Sequence, residues 1–302
     1  MKTMVDETFM GKVGRAVLAS STRTKLLAIL EILAVYAVIQ TLLIVWSSTG
    51  IVEWEKQHLG WSYTGASILV AIPALVIWLT RRNWVEYGVS SADWRTNLDI
   101  GLKGCLVRAI PAFAMMLGLN SNPLGANLLE TMGWVIAVGV MVWILNRHRP
   151  VKSGRKNVFA SLLLLSVPIV VSLAMSSLNV VIVSTMVWQF VLSGFGEEFV
   201  YRGYFQSRLN QAFGRPVRLF GIQFGAGLII TSFLFGLLHA FNSFDAAIGF
   251  SSLGWGWALS SFVAGLFFGV LREKTGTLVA PGIAHGLADA VGEPFRVIFG
   301  WM

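Results

Sequence analysis

The stretch around which the chain is organised reads Gly196-Glu197-Glu198-Phe199-Val200-Tyr201-Arg202. It holds two adjacent carboxylates and a guanidinium, and it lies in a region that is otherwise almost entirely apolar. A charged side chain at the centre of a membrane helix costs roughly 2.5–3.5 kcal/mol on insertion scales. Three charges in such a region therefore predict a functional site.

The composition around this stretch is typical of a membrane protein. The 302 residues are 55% hydrophobic and 13% charged, with a mean hydropathy of +0.70, whereas soluble domains carry about 25% charged residues. A spanning helix needs roughly 20 mostly apolar residues. This rule finds segments at 26–46, 61–80, 98–119, 129–146, 158–177, 180–208, 221–243, 255–271 and 277–299. We predict an all-α, polytopic transmembrane helix bundle with eight or nine spanning helices, depending on whether 98–119 spans.

The distribution of charge predicts how the bundle is oriented. The net charge is +8, and the basic residues recur in short clusters between apolar segments rather than in one domain. This pattern follows the positive-inside rule and predicts a multi-pass membrane protein with a cytoplasmic N-terminus. We expect the plasma membrane, since the sequence shows no retrieval signal for another membrane. The lipid bilayer is then its environment, and nucleic acid is not an expected partner. We divide the chain into a cytoplasmic segment 1–25, N-terminal transmembrane helices 26–179 and a transmembrane core 180–302.

Helical spacing separates the two glutamates of the charged stretch. Residues four apart share a face, so Glu198 and Arg202 are predicted to pair. Glu197 lies about 100° round the helix from Glu198 and is left without that partner. We expect Glu197 to point into a cavity, where a desolvated carboxylate can serve as a general base. The alternative is that both glutamates belong only to a buried salt-bridge network.

Two of the four histidines lie in other apolar segments. His239 ends the sequence that begins at Phe235, while His285 and Asp289 are four residues apart and share a helix face. With Glu197, these groups suit activation of a water molecule and stabilisation of an oxyanion. The four ionisable side chains equally suit a metal site with an open position, for a divalent ion such as zinc. The residues alone leave both schemes open.

In this order, the three motifs resemble the CAAX protease and bacteriocin-processing (CPBP, or Abi) family of intramembrane proteases. That family includes the Ras-converting type of CAAX prenyl endopeptidase. The motifs are Glu-Glu-x-x-x-Arg at 197–202, Phe-x-x-x-His at 235–239 and His-x-x-x-Asn/Asp at 285–289. The resemblance covers about residues 180–299, so it marks 180–302 as the catalytic core.

The resemblance implies a role for each residue. Glu197 would activate water with the help of His239, and His285 with Asp289 would bind the oxyanion. Asp289 stands where Asn is also common. An ionised Asp is a poor oxyanion donor, so it would have to be protonated, support His285 or bind a metal. The residues that would shape the site are Glu198, Arg202 and Phe235.

The implied function is an intramembrane endopeptidase. Its substrate would be a membrane-associated peptide or protein, prenylated or of the bacteriocin type. The hydrolytic water would be activated by Glu and His, with either no cofactor or one divalent metal. One alternative is a non-catalytic immunity or interaction protein on the same scaffold. Another is a proton-coupled transporter in which Glu197 and the histidines relay protons.

These groups can act together only at a common depth in the membrane. If the Glu-bearing helix ended near Glu198 and the next began at 221, His239 would lie about 27 Å away along the axis. We therefore predict that the Glu-bearing helix continues to about 208 and holds Glu197 well inside the bilayer. Lys103 and Arg108 are expected at the cytoplasmic edge, reached by snorkelling.

Overall fold

The computed structural model describes residues 21–118, 123–244 and 248–300, and about 80% of the chain is helical. Long apolar runs form helices because a backbone in lipid must satisfy its hydrogen bonds internally. The helices are α1 (Thr22–Ser47), α2 (Gly50–Leu59), α3 (Tyr63–Leu79), α4 (Trp94–Val107), α5 (Ala109–Gly118), α6 (Pro123–Arg147), α7 (Arg155–Ala174), α8 (Val180–Phe213), α9 (Ala226–Phe241), α10 (Trp255–Thr275) and α11 (Val279–Ile298). Short 3₁₀ turns lie at Trp84–Tyr87 and Phe250–Ser252, and an antiparallel hairpin is formed by β1 (Val217–Leu219) and β2 (Ile222–Phe224).

The all-α membrane architecture agrees with the sequence, but the predicted number of spans is not confirmed. Among the described residues, six helices are long and apolar enough to cross a membrane: α1, α4 with α5, α6, α7, α8 and α10. A seventh results if α2 and α3, which are bent by 116°, count as one span. The chain is thus a multi-pass membrane protein with six or seven candidate spans, and segment 98–119 belongs to one of them.

Two of the predicted spans do not meet the requirements of length and composition. Segment 221–243 begins in the β-hairpin, and its helix α9 has only 16 residues. Helix α11 has 20 residues, but it carries Asp289, Glu293 and Arg296 and is therefore too polar to count. Both helices nevertheless carry predicted site residues, because α9 holds His239 and α11 holds His285.

The site is built in the middle of the bundle, where α8, α9, α10 and α11 meet. Helix α9 packs along α10, and α11 packs against both α8 and α4. Aromatic side chains fill the space between them, with Tyr201, Phe205, Phe267 and Phe268 all fully buried. Helix α7 lies at the periphery, because few of its residues are buried within the protein.

Part of the predicted division of the chain lies outside the described residues. This applies to 1–20 of the predicted cytoplasmic segment, whereas residues 22–25 already belong to α1. The boundary at 179/180 and the cytoplasmic orientation of the N-terminus stay predictions.

Candidate active site

Helix α8 carries the charged stretch through the centre of the bundle. It is 34 residues long and continues past the predicted end at 208 to Phe213, with Glu197 near its middle. At 1.5 Å per residue, Glu197 lies about 24 Å from this end, and His239 lies about 20 Å from the start of α9. The end of α8 and the start of α9 are joined by the short β-hairpin, so the two distances are counted from the same side and both side chains reach a similar depth.

The winding of α8 around the charged stretch is not the regular α-helix that the sequence predicts. Trp188–Glu197 and Phe199–Phe205 are wound as π-helix, between α-helical ends at Val180–Val187 and Gln206–Phe213. Most π-helical turns are short and frequently occur at functional sites. The wide winding therefore marks the part of α8 that holds both glutamates and Arg202.

A crossing of glycines brings α8 next to α11. A side chain on Gly194 would collide with the backbone of Gly286, and a Cβ on Gly286 would lie 2.6 Å from the carbonyl oxygen of Phe190. Small residues allow membrane helices to approach this closely. As a result, Glu198, one turn beyond Gly194, lies against His285, the neighbour of Gly286.

Glu198 contacts both Arg202 and His285 in the buried interior. Its Oε1 lies 3.3 Å from Nη1 of Arg202, so the predicted pair is present, and it accepts a hydrogen bond of 2.9 Å from Nδ1 of His285. Arg202 also donates through Nη2 to the carbonyl oxygen of Gly265, and its guanidinium lies 4.4 Å from the ring centroid of Phe235. Glu198 therefore orients the imidazole as well as balancing Arg202.

The second ring nitrogen of His285 faces Asp289. Its Nε2 is 3.4 Å from Oδ2 of Asp289, a long contact compared with the 2.9 Å bond on the opposite side of the ring. The imidazole also stacks on Phe268, with ring centroids 4.6 Å apart. The ring is thus held on three sides, and its Nε2 is the less firmly engaged nitrogen.

Arg108 occupies a different place from the one predicted. It does not extend to the membrane edge but donates to Asp289 through both Nη atoms, at 2.7 Å to Oδ1 and 3.2 Å to Oδ2. It also donates to the carbonyl oxygens of His285, at 2.7 Å, and Ala284, at 3.3 Å. The expectation of a snorkelling side chain was wrong because acceptors on α11 lie within hydrogen-bonding distance of the guanidinium. Lys103, by contrast, is exposed and pairs with Asp99.

Close packing of α4 on α11 explains how Arg108 reaches the site. A Cβ on Gly101 would lie 2.7 Å from Cβ of Ile283, and one on Gly104 would lie 2.8 Å from Cβ of Ala284. Gly101, Gly104 and Arg108 share one helix face. We call Glu198, Arg202, His285, Asp289 and Arg108 the paired cluster.

Glu197 and His239 form what we call the open pair. Oε1 of Glu197 is 3.5 Å from the Ser193 hydroxyl, and Oε2 is buried without a hydrogen-bond partner in the part of the chain that the structure describes. Nδ1 of His239 lies 2.8 Å from the carbonyl oxygen of Phe235. Because a carbonyl only accepts, Nδ1 carries the hydrogen and Nε2 is left as an acceptor.

One cavity of about 640 Å³ connects the two groups. The predicted site residues that line it are Glu197, His239, Phe235, His285 and Asp289. Glu198 and Arg202 are not in its wall and lie behind it. Five of the seven predicted residues thus face a common space, which is large enough for a short stretch of peptide.

The matched region of the chain agrees with this geometry. Residues 179–291 match the family model described as Rce1-like, type II CAAX prenyl endopeptidase. This segment is similar to the Rce1-like family, and we call it the Rce1-like segment. No curated protein and no solved structure matches the chain. The Rce1-like segment is less than half of the chain, but it contains both members of the open pair as well as His285 and Asp289. The family is one of endopeptidases, so the match indicates a protease.

Several residues of the cavity wall lie outside the Rce1-like segment and were not identified from the sequence. They include Arg108, Glu130 and Trp134. A signal for Arg108 was present, because Gly101 and Gly104 mark a face of close helix contact. Glu130 had no such signal, since a single carboxylate in an apolar segment gives no partner.

The proposed metal ligands do not form a metal site in this arrangement. Within 21–118, 123–244 and 248–300, no three His, Cys, Asp or Glu residues are grouped as ligands would be. Both ring nitrogens of His285 face carboxylates, and both oxygens of Asp289 accept from Arg108. Among the four proposed ligands, Glu197 and His239 keep an atom free of hydrogen bonds within the described residues. The four proposed ligands are therefore not arranged as a metal site within the described residues, and the expectation of either no cofactor or one divalent metal stays a prediction.

Proposed function

We propose that the protein is an intramembrane endopeptidase that hydrolyses membrane-associated peptides with water activated by Glu197. One observation carries the proposal: Glu197, inside the Rce1-like segment, presents an unpartnered carboxylate oxygen at the wall of a peptide-sized cavity. Among the described residues, no Arg, Lys or His forms an ion pair with Glu197, so the lone pairs of Oε2 are not engaged by a cation. Glu197 can therefore take a proton from water.

The first chemical step joins water to the scissile carbonyl. Glu197 removes a proton from the water as its oxygen attacks the carbonyl carbon, and Nε2 of His239 accepts a hydrogen bond from the same water. A tetrahedral intermediate forms, and its oxyanion accepts a hydrogen bond from Nε2–H of His285. The long contact of this nitrogen with Asp289 leaves its hydrogen available for the oxyanion.

The second step breaks the peptide bond. The oxyanion reforms the carbonyl, the C–N bond breaks, and Glu197 returns its proton to the departing amine. The products are a carboxylic acid and an amine, and Glu197 is again unprotonated. No step requires a metal, so a chelator such as 1,10-phenanthroline should leave the rate of cleavage unchanged.

The experiment measures cleavage by the purified protein in liposomes. The probes are a farnesylated peptide ending in Cys-aliphatic-aliphatic-X and the same peptide without the lipid, with products identified by mass spectrometry. Glu197→Gln keeps the size of the side chain but cannot accept a proton, so the rate should fall about 10²–10⁴-fold. Glu53→Gln, at an exposed position on α2, is the matched control and should cleave normally. Equal cleavage by Glu197→Gln and wild type would refute the proposal.

A further inference from the structure

Arg108 forms four hydrogen bonds to α11, the helix that carries His285. Its guanidinium donates to both oxygens of Asp289 and to the backbone oxygens of His285 and Ala284. Its side chain is only 16% exposed, although it lies in a membrane-spanning segment. An ionised side chain at such a place is costly unless it is paired. Its hydrogen bonds all go to α11, between Ala284 and Asp289, the segment that carries His285.

We propose that Arg108 is the positioning residue that holds His285 ready to bind the oxyanion. The inference rests on the proposed function. Arg108 draws both carboxylate oxygens of Asp289 towards itself, and the Nε2 of His285 is left with a contact of 3.4 Å to Oδ2. Without Arg108, the ring of His285 would be the nearest hydrogen-bond partner of the carboxylate. The carboxylate would then take the Nε2 hydrogen that the oxyanion needs.

The backbone contact adds a second constraint on the same histidine. Nη1 of Arg108 donates at 2.7 Å to the carbonyl oxygen of His285 itself. The imidazole is fixed from the other side by Glu198. Arg108 therefore fixes the helix turn to which the ring is attached, while Glu198 fixes the ring. A displacement of a reacting group by about 1 Å can cost about 100-fold in rate.

The position of Arg108 makes the N-terminal helices part of the site. The residue lies outside the Rce1-like segment, at the break between α4 and α5. Tight contacts of Gly101 and Gly104 with α11 set its distance from Asp289. Residues 179–291 alone thus lack one of the groups on which His285 depends. A lysine could not replace Arg108, because a point charge cannot donate to both oxygens of a carboxylate in parallel.

The test compares four variants with wild type, all as full-length monodisperse protein in liposomes: Arg108→Gln, Arg108→Lys, Asp289→Asn and Arg108→Gln with Asp289→Asn. Arg108→Gln should lower kcat about 10–100-fold while KM stays within about twofold, because the lost interaction acts on the transition state. Arg108→Lys should lower kcat at least about fivefold, since lysine keeps the positive charge but cannot donate to both carboxylate oxygens of Asp289 as the planar guanidinium does.

The double variant separates positioning from independent effects. Removing the Asp289 charge also removes the competitor for the Nε2 hydrogen, so the double variant should be at least as active as Arg108→Gln alone. Independent residues would instead multiply their losses. Multiplied losses, or a kcat for Arg108→Gln within twofold of wild type, would overturn the inference. A role in folding alone would reduce the monodisperse fraction and leave the kcat of that fraction unchanged.

Two controls keep this test distinct from that of the proposed function. Lys103→Gln lies on the same helix, at an exposed ion pair away from the cavity, and should retain wild-type kcat. Glu197→Gln must be inactive if the proposed function holds. If Glu197→Gln is inactive and Arg108→Gln is fully active, the proposed function stands and the positioning inference fails. If Glu197→Gln is active, the proposed function itself fails.

Discussion

The paired cluster and the open pair lie on the same cavity but differ in how their charges are balanced. In the paired cluster, each carboxylate lies within 3.4 Å of an arginine, and both carboxylates contact the ring of His285. Among the described residues, Glu197 of the open pair has no ion-pair partner, and His239 makes its hydrogen bond to a backbone carbonyl. Both groups are built largely from α8, α9 and α11, so the difference comes from side-chain geometry rather than from separate parts of the fold.

This difference indicates that the paired cluster orients the site and that the open pair exchanges protons with water. A charge that is held by its partners is poorly suited to gain or lose a proton, but it fixes the orientation of its neighbours. A carboxylate or imidazole with a free lone pair can exchange protons with water. Removing a fully buried charge of the paired cluster should therefore disturb stability in addition to any effect on catalysis, whereas removing a member of the open pair should disturb catalysis alone.

The largest expected effect is the loss of stability in Arg202→Met. Both Arg202 and Glu198 are fully buried, so this change leaves Glu198 ionised with one cationic partner fewer. Breaking a buried pair from one side costs roughly 3–5 kcal/mol. We expect a much lower melting temperature in detergent, with partial recovery in the double variant Glu198→Gln with Arg202→Met. The melting temperature of Glu197→Gln should equal that of the wild type. An equal decrease in Arg202→Met and Glu197→Gln would contradict the structural role of the paired cluster.

The contrast between these groups was only partly predictable from the sequence. The i, i+4 spacing correctly predicts that Glu198 meets Arg202, and the need for a common depth correctly predicts a long α8. The contact of Glu198 with His285 could not be predicted, because it depends on a crossing of glycines between distant segments. Arg108 was misplaced for the same reason: its acceptors lie on α11. Local periodicity gives helices and faces, whereas partners across the bundle require the packing.

The span count illustrates a second limit of the sequence. Each of the nine predicted segments contains a helix, but apolar composition did not reveal that 221–243 begins as a hairpin. Nor did it indicate the π-helical winding between Trp188 and Phe205. Hydropathy measures whether a segment can lie in lipid, and it is insensitive to how the backbone is wound there.

The next largest effect is expected for His239→Gln, in the open pair. The flexible glutamine amide does not hold an acceptor where the rigid ring places Nε2 of His239, so the attacking water is misplaced and kcat should fall about 10²-fold. The melting temperature should stay at the wild-type value, because the ring makes no ion pair among the described residues. Cleavage assays in liposomes and melting curves in detergent measure the two quantities. A large loss of stability would place His239 with the paired cluster.

A smaller effect is expected at the crossing that holds the two groups together. In Gly286→Ala, the added methyl group would lie 2.6 Å from the carbonyl oxygen of Phe190, so α8 and α11 must separate. Overpacking of this kind typically costs 1–3 kcal/mol. Gly292→Ala is the matched control, because it lies on the same helix with open space around it. Equal melting temperatures for the two variants would show that the crossing tolerates a side chain.

The smallest effect concerns the hydrogen bond that Glu197 accepts from Ser193. The Ser193 hydroxyl is 3.5 Å from Oε1, at the limit of a hydrogen bond, and the serine is buried one turn before Glu197. A neutral hydrogen bond contributes about 1 kcal/mol, so Ser193→Ala should lower kcat by no more than about fivefold. Such a weak dependence would agree with a carboxylate whose natural partner is a substrate water. A loss above 100-fold would instead place Ser193 among the reacting groups, and Glu197 could no longer be considered open.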